Sequence, residues 1–170
     1  MLSDTFPKHI LKLLYLTLVY PYFNYCNLIW GSAYMSTLYP LVILQKKCIR
    51  TICNANFLSH TDPLFKSTKL LKLHQIHELN CVIFIYKCFN SAVYSNFRNA
   101  MVTSSQIHHY STRRNNEIRP LFNRLQLGIN SFLNKGIILW NDLPNEIKYS
   151  NSRSYFKSKV KNRLLNTSSA

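Results

Sequence analysis

Hydrophobic positions along this 170-residue chain recur mostly three and four residues apart, the spacing of a helix with one buried side. Asp4 or Thr5 can cap a first helix with Pro7 in its first turn, and Ile10, Leu11, Leu14 and Leu18 form its stripe. Pro21 lacks the donor that the next turn needs, so this helix is expected to end near Tyr20 and to lead into a compact aromatic connection at 22–31. Pro40 is expected to open a second helix reaching about Asn54, with Leu41, Leu44, Cys48, Ile49 and Ile52 on one face. Thr61 can cap a short third helix that carries Pro63 in its first turn, where Asp62 would also serve as a cap. The fourth helix, 74–90, is apolar on most sides, broken by His77, Glu78, Asn80 and Lys87. Its Ile76, Leu79, Ile83 and Tyr86 are expected in the core, against the first two helices.

The texture changes after Val102. Residues 103–116 are polar and without period, which predicts a mobile loop. Residues 121–133 carry short apolar patches interrupted by Asn123, Gly128 and Asn130, a pattern that admits short strand pieces. A helix over 135–141 and a turn at Pro144 follow, with Trp140, Leu143 and Ile147 as core anchors. Ser152 caps a last helix over 153–165, whose stripe is Phe156, Val160 and Leu164, and 167–170 should fray. The predicted fold is mainly α: an irregular helical bundle with a loop-rich C-terminal half. Three regions are expected: a helical region 1–101, a polar loop 102–116 and a C-terminal region 117–170 with a basic final helix.

Charge adds a function class. Twenty-one Lys and Arg face six acids, a formal +15. The excess is spread evenly: ten bases and three acids in 1–101 leave +7, and eleven and three in 102–170 leave +8. Such a field attracts polyanions, nucleic acid first and anionic membrane second. Lys46, Lys47 and Arg50 lie opposite the apolar stripe of the second helix. Lys66, Lys69 and Lys72 recur every three residues and can share a face. Arg113 and Arg114 sit on the polar loop beside Tyr110. Arg153, Lys157, Lys159, Lys161 and Arg163 cover the last helix. These groups suit phosphates and carry no base-edge code, so the expected binding is sequence-independent. The bland alternative is a solvated face of the kind any basic protein has.

Catalytic chemistry finds little support. Metal-assisted phosphoryl transfer needs carboxylates converging on two ions. The six acids, Asp4, Asp62, Glu78, Glu117, Asp142 and Glu146, are scattered. The three glycines are too far apart for a phosphate loop. Cys26, Cys48, Cys53, Cys81 and Cys88 sit inside apolar patterns and read as buried, reduced thiols of an intracellular protein. Cys48 and Cys53, with His74, His77 and Cys81, are the nearest approach to a zinc set, but five residues on a helix place the two cysteines on different faces. No metal or cofactor is expected. Residues 13–30 approach the length of a membrane span, yet Pro21, Asn24 and Asn27 interrupt them, so membrane is the lesser expectation.

Four segments occur in order: LVYPYFNYCNLIWG at 18–31, ILQKKCIR at 43–50, SHTDPLFKSTKLLKL at 59–73 and LWNDLPNEI at 139–147. Together they resemble the C-terminal tail of the reverse transcriptase of jockey/CR1-like non-LTR retrotransposons, over about residues 6–165. In that family the catalytic aspartates lie upstream of a segment like 6–31. The resemblance therefore implies a non-catalytic remnant that keeps thumb and tail, without the palm and without the elements' endonuclease. It also implies that Lys46, Lys47 and Arg50 would track the backbone of an RNA–DNA hybrid, as thumb helices lie along the template–primer minor groove. Two other expectations stand beside it: a small helical membrane-associated protein, and a translated fragment without function.

Overall fold

The computed structural model describes residues 6–91, 94–99, 101–107 and 117–167. It is mainly helical, as the spacing predicts. The helices are α1 (Lys8–Leu14), continued by a π segment (Tyr15–Val19) into α2 (Tyr20–Asn24), then α3 (Asn27–Trp30), α4 (Met35–Cys53), α5 (Asp62–Thr68) and α6 (Leu73–Asn90). After them come α7 (Ser95–Asn99), α8 (Ser104–Ile107), α9 (Gln126–Ile129), α10 (Phe132–Asn141), α11 (Asn145–Lys148) and α12 (Arg153–Thr167). The chain divides into two compact units, one of residues 1–77 with 161–170, the other of 78–160. The divisions fall inside α6 and inside α12.

In the first unit Pro21 does not end the first helix. The helix widens just before it: the Tyr20 amide bonds the Tyr15 carbonyl five residues back, the π spacing. The wide turn precedes the one position that has no amide hydrogen, and Pro21 then sits in the first turn of α2, where no donor is needed. The expected stripe is also rotated. Leu11, Tyr15 and Phe23 are buried, while Leu14 and Leu18 face solvent, Leu18 with 60% of its surface exposed. Tyr15 takes the inner side because its hydroxyl has a partner there, accepting from Gln45 Nε2 at 3.0 Å.

Pro40 does not open α4, which starts five residues earlier at Met35 and carries the proline inside. The cost is one missing backbone bond early in a 19-residue helix. Asn54, left-handed with φ 48°, ends it, and the Ala55 amide returns to the Arg50 carbonyl at 3.0 Å. The buried face of α4 is Gln45, Ile49 and Ile52; Leu44, expected inside, is exposed. Gln45 stays inside because every polar atom of its amide is used. Nε2 also donates to the Leu71 carbonyl at 3.0 Å, and Oε1 accepts the Leu73 amide at 2.9 Å. Gln75 behaves similarly: Oε1 accepts the Lys72 amide and Nε2 donates to the Leu164 carbonyl at 2.8 Å. Thr61 precedes α5 as expected, but its side chain makes no capping bond, and Asp62 is the first helical residue rather than the cap.

The second unit is built on aromatic rings. Tyr86 stacks on Phe156 at 4.3 Å between centroids, and Phe89 stacks on Trp140 at 5.4 Å. Phe84 meets Tyr94, Phe97 and Phe132 edge-on at 5.1–5.6 Å. Tyr86, expected against the first two helices, thus finds its partner in Phe156, and its hydroxyl donates to the Ser150 carbonyl at 2.8 Å. Trp140 and Leu143 are buried and Ile147 is half-buried, close to the expected set of anchors. Gly136 lets α10 approach α6: a Cβ there would stand 3.0 Å from Ile85 Cγ1 and 3.1 Å from the Cys81 carbonyl oxygen. The strand pieces expected at 121–133 are not formed. Residues 126–129 are a helical turn instead, closed by Asn134 Nδ2 donating to the Ile129 carbonyl. Among the described residues the strand-like pairing is a single antiparallel bridge, Thr103 with Ile118. Of the expected polar loop, 104–107 form one helical turn, and 108–116 lie outside the described residues.

Candidate nucleic-acid interface

Lys47 projects from α4 into solvent, and Lys46 and Arg50 beside it are half-buried, away from the face of Gln45, Ile49 and Ile52. Arg50 has a second task. Its Nε donates to the Ser59 carbonyl at 3.1 Å, and its guanidinium lies 5.8 Å from the Phe57 ring centre. It latches the loop that follows α4 as well as carrying charge.

Lys66, Lys69 and Lys72 do not share a helical face. Lys66 lies in the last turn of α5, Lys69 ends that helix in the left-handed region with φ 54°, and Lys72 lies beyond it. The reason is the left-handed residue, which reverses the chain so that Leu70, Leu71 and Leu73 can be buried. Lys72 Nζ instead pairs with Asp62 at 3.0 Å. The Lys72 hydrogen bond holds the Asp62 carboxyl below the usual carboxylate value against the opposing effect of burial; the charges of Lys72, His60 and Lys46 act in the same direction as that bond. The fold therefore brings Lys46, His60 and Lys72 around one carboxylate. His60 carried no signal in the sequence, because its place depends on the turn between α4 and α5.

On α12, Arg153 and Lys157 are exposed, and Lys159 lies over the Tyr155 ring at 5.2 Å. Lys161 is half-buried and belongs to the first unit, unlike Arg153 and Lys157. Arg113, Arg114 and Tyr110 lie outside the described residues.

Two of the described acids pair with lysines, Asp62 with Lys72 and Glu78 with Lys135 at 3.5 Å. Lys148 donates to the Asn141 carbonyl at 3.0 Å; burial lowers its affinity for a proton, and Glu117 and Asp142 partly restore it. Among the described residues no group of three or more His, Cys, Asp or Glu could hold a metal ion. His77 is buried with Nδ1 3.1 Å from the Asn27 carbonyl oxygen. The five cysteines form no disulfide. Cys81 and Cys88 are buried as expected, Cys48 and Cys53 are half-buried, and Cys26 is exposed because the chain turns there through a left-handed residue, φ 47°. An open cleft of about 580 Å³ in the second unit is lined by Phe89, Thr103, Ile118, Trp140 and Lys148, among others. Among the described residues no helix is long and apolar enough to cross a membrane. Comparison with protein-family models, curated proteins and solved structures finds no match.

Proposed function

We propose that this chain is a non-catalytic thumb-and-tail segment of a non-LTR retrotransposon reverse transcriptase, and that it holds RNA or DNA by the phosphate backbone without reading sequence. The observation that carries the binding part is the solvent side of α4 and its surroundings. Lys46, Lys47 and Arg50 lie together there, and the carboxylate that Lys46 acts on, Asp62, is already paired with Lys72. A surface with several cations and no free carboxylate releases counterions when phosphates replace them. The origin rests on the four ordered sequence segments alone.

The test is the salt dependence of binding to duplex and to RNA–DNA hybrid. Each lost phosphate contact flattens the log–log slope by about 0.9, so Lys46→Ala with Lys47→Ala should flatten it by up to about two. Arg50 is left intact because it also holds the loop. An unchanged slope in a folded double variant overturns the assignment. A purified protein that extends a primer with Mg²⁺ refutes the non-catalytic part.

A further inference from the structure

The loop between α4 and α5 displays two large apolar side chains that are mostly exposed to solvent. Phe57 has 69% of its surface exposed and Leu58 86%. Both stand on a defined turn: the Leu58 amide bonds Asn56 Oδ1 at 3.2 Å, and the Ser59 amide bonds the Asn56 carbonyl at 2.9 Å. Arg50 ties the turn back to α4 through Ser59. A flexible loop could fold such side chains away; this one is latched with them outward.

The surroundings are cationic. Arg50 covers one side of the Phe57 ring, His60 follows three residues later, and Lys46 and His60 both act on Asp62. That carboxylate is paired with Lys72, so the patch keeps a positive excess. A partner must therefore offer negative charge and a flat apolar surface within one loop's reach. A closed duplex offers phosphates and hides its base faces. An unpaired strand offers both, and aromatic rings beside cations are the usual platform for it.

We propose that Phe57, backed by Arg50 and flanked by Leu58, stacks on an unpaired nucleobase, so that the first unit prefers single-stranded nucleic acid or a strand junction to closed duplex. This rests on the backbone binding proposed above and names its substrate class. The ring of Phe57 would take the base, and Lys46, Arg50 and His60 the adjoining phosphates.

The experiment measures binding of the full chain to labelled oligo-dT and to a dumbbell-closed DNA duplex, whose ends expose no base. The expected result is tighter binding to oligo-dT, weakened about tenfold by Phe57→Ala with the duplex unchanged, since one base–aromatic stack is of that size. Phe57→Tyr, which keeps the ring, should restore the affinity. Phe57 is exposed, so the variants should keep the parent's helical circular dichroism. If Phe57→Ala leaves oligo-dT binding unchanged while Lys46→Ala with Lys47→Ala weakens it, stacking is wrong and backbone binding stands. If the parent binds neither probe, both fall. If Phe57→Ala instead releases the protein from phosphatidylserine vesicles and spares oligo-dT, the tip is a lipid contact and the assignment is overturned.

Discussion

Gln45 and Phe156 are both almost inaccessible to solvent, and they organise their surroundings by different physics. Gln45 bonds to Tyr15, Leu71 and Leu73, groups 26 to 30 residues away in sequence. Phe156 stacks on Tyr86 and tilts against Trp140. The contrast runs through both units. Asn27, Gln45, Thr61, Thr68, Gln75 and His77 are buried in the first, and among the described residues Asn134 is the buried polar side chain of the second. A core tied by hydrogen bonds is directional and loses much when one partner goes, because the remaining buried groups cannot return to water. A core of rings depends on shape and area and loses most when volume is removed.

Thiol chemistry should show the widest difference. Burial pushes the Cys81 thiol up to about 12 and Cys88 to about 11, so little thiolate exists at neutral pH. Alkylation followed by mass spectrometry should label exposed Cys26 at least about a hundredfold faster than either, since the thiolate is the reacting form and burial blocks access. Equal rates would mean the second unit's core is open. The sign of the linkage is clear as well. Folded-state values raised from 9.0 mean that the stability they carry is complete below pH 9 and is lost as pH rises toward about 12.

Next in size is the aromatic core. Phe156→Ala should destabilise the protein by about 4 kcal/mol in urea unfolding, the usual cost of emptying a fully buried aromatic site. A loss below about 1 kcal/mol would show that the stack closes over the gap. Gln45→Leu keeps volume and polar partners are what it removes. It should cost about 2 kcal/mol by stranding the Leu73 amide and the Leu71 carbonyl. Hydrogen exchange at the Leu73 amide reports this directly, and unchanged protection there would break the contrast between the units.

The smallest effect belongs to the surface pair. Asp62 has a lowered folded-state value, so its contribution is present above the ordinary carboxylate range and is lost as pH falls through that lowered value. Its side chain is more than half exposed, which limits the effect to about 0.5 kcal/mol or less. Asp62→Asn should therefore remove only a slight acid-side slope from the urea midpoint. A large change would show Asp62 to be part of the core rather than a neutraliser of Lys72.

Helix spacing made most of this fold legible. The runs ending in α6, α10 and α12 carry enough apolar residues at three- and four-residue intervals that no other element could bury them. Trp140, Leu143, Phe156 and Val160 were readable as core for the same reason. The prolines misled in both places, since Pro21 is absorbed by a π turn and Pro40 by a long helix whose other bonds and buried face outweigh one lost bond. Within the candidate interface, Lys46, Lys47 and Arg50 were readable from their place opposite an apolar stripe. The pairing of Lys72 with Asp62, and the latching of Phe57 by Arg50, were not.

The sequence by itself determined the charge, the helical class and the identity of the apolar faces, because these follow from side-chain type and local period. Only the tertiary structure decided which polar side chains could enter the core and which apolar ones were left outside. Gln45 is buried because three distant groups converge on its amide, while Leu18 and Leu58 are left exposed. Such choices depend on partners far apart in the chain, and no local pattern encodes them.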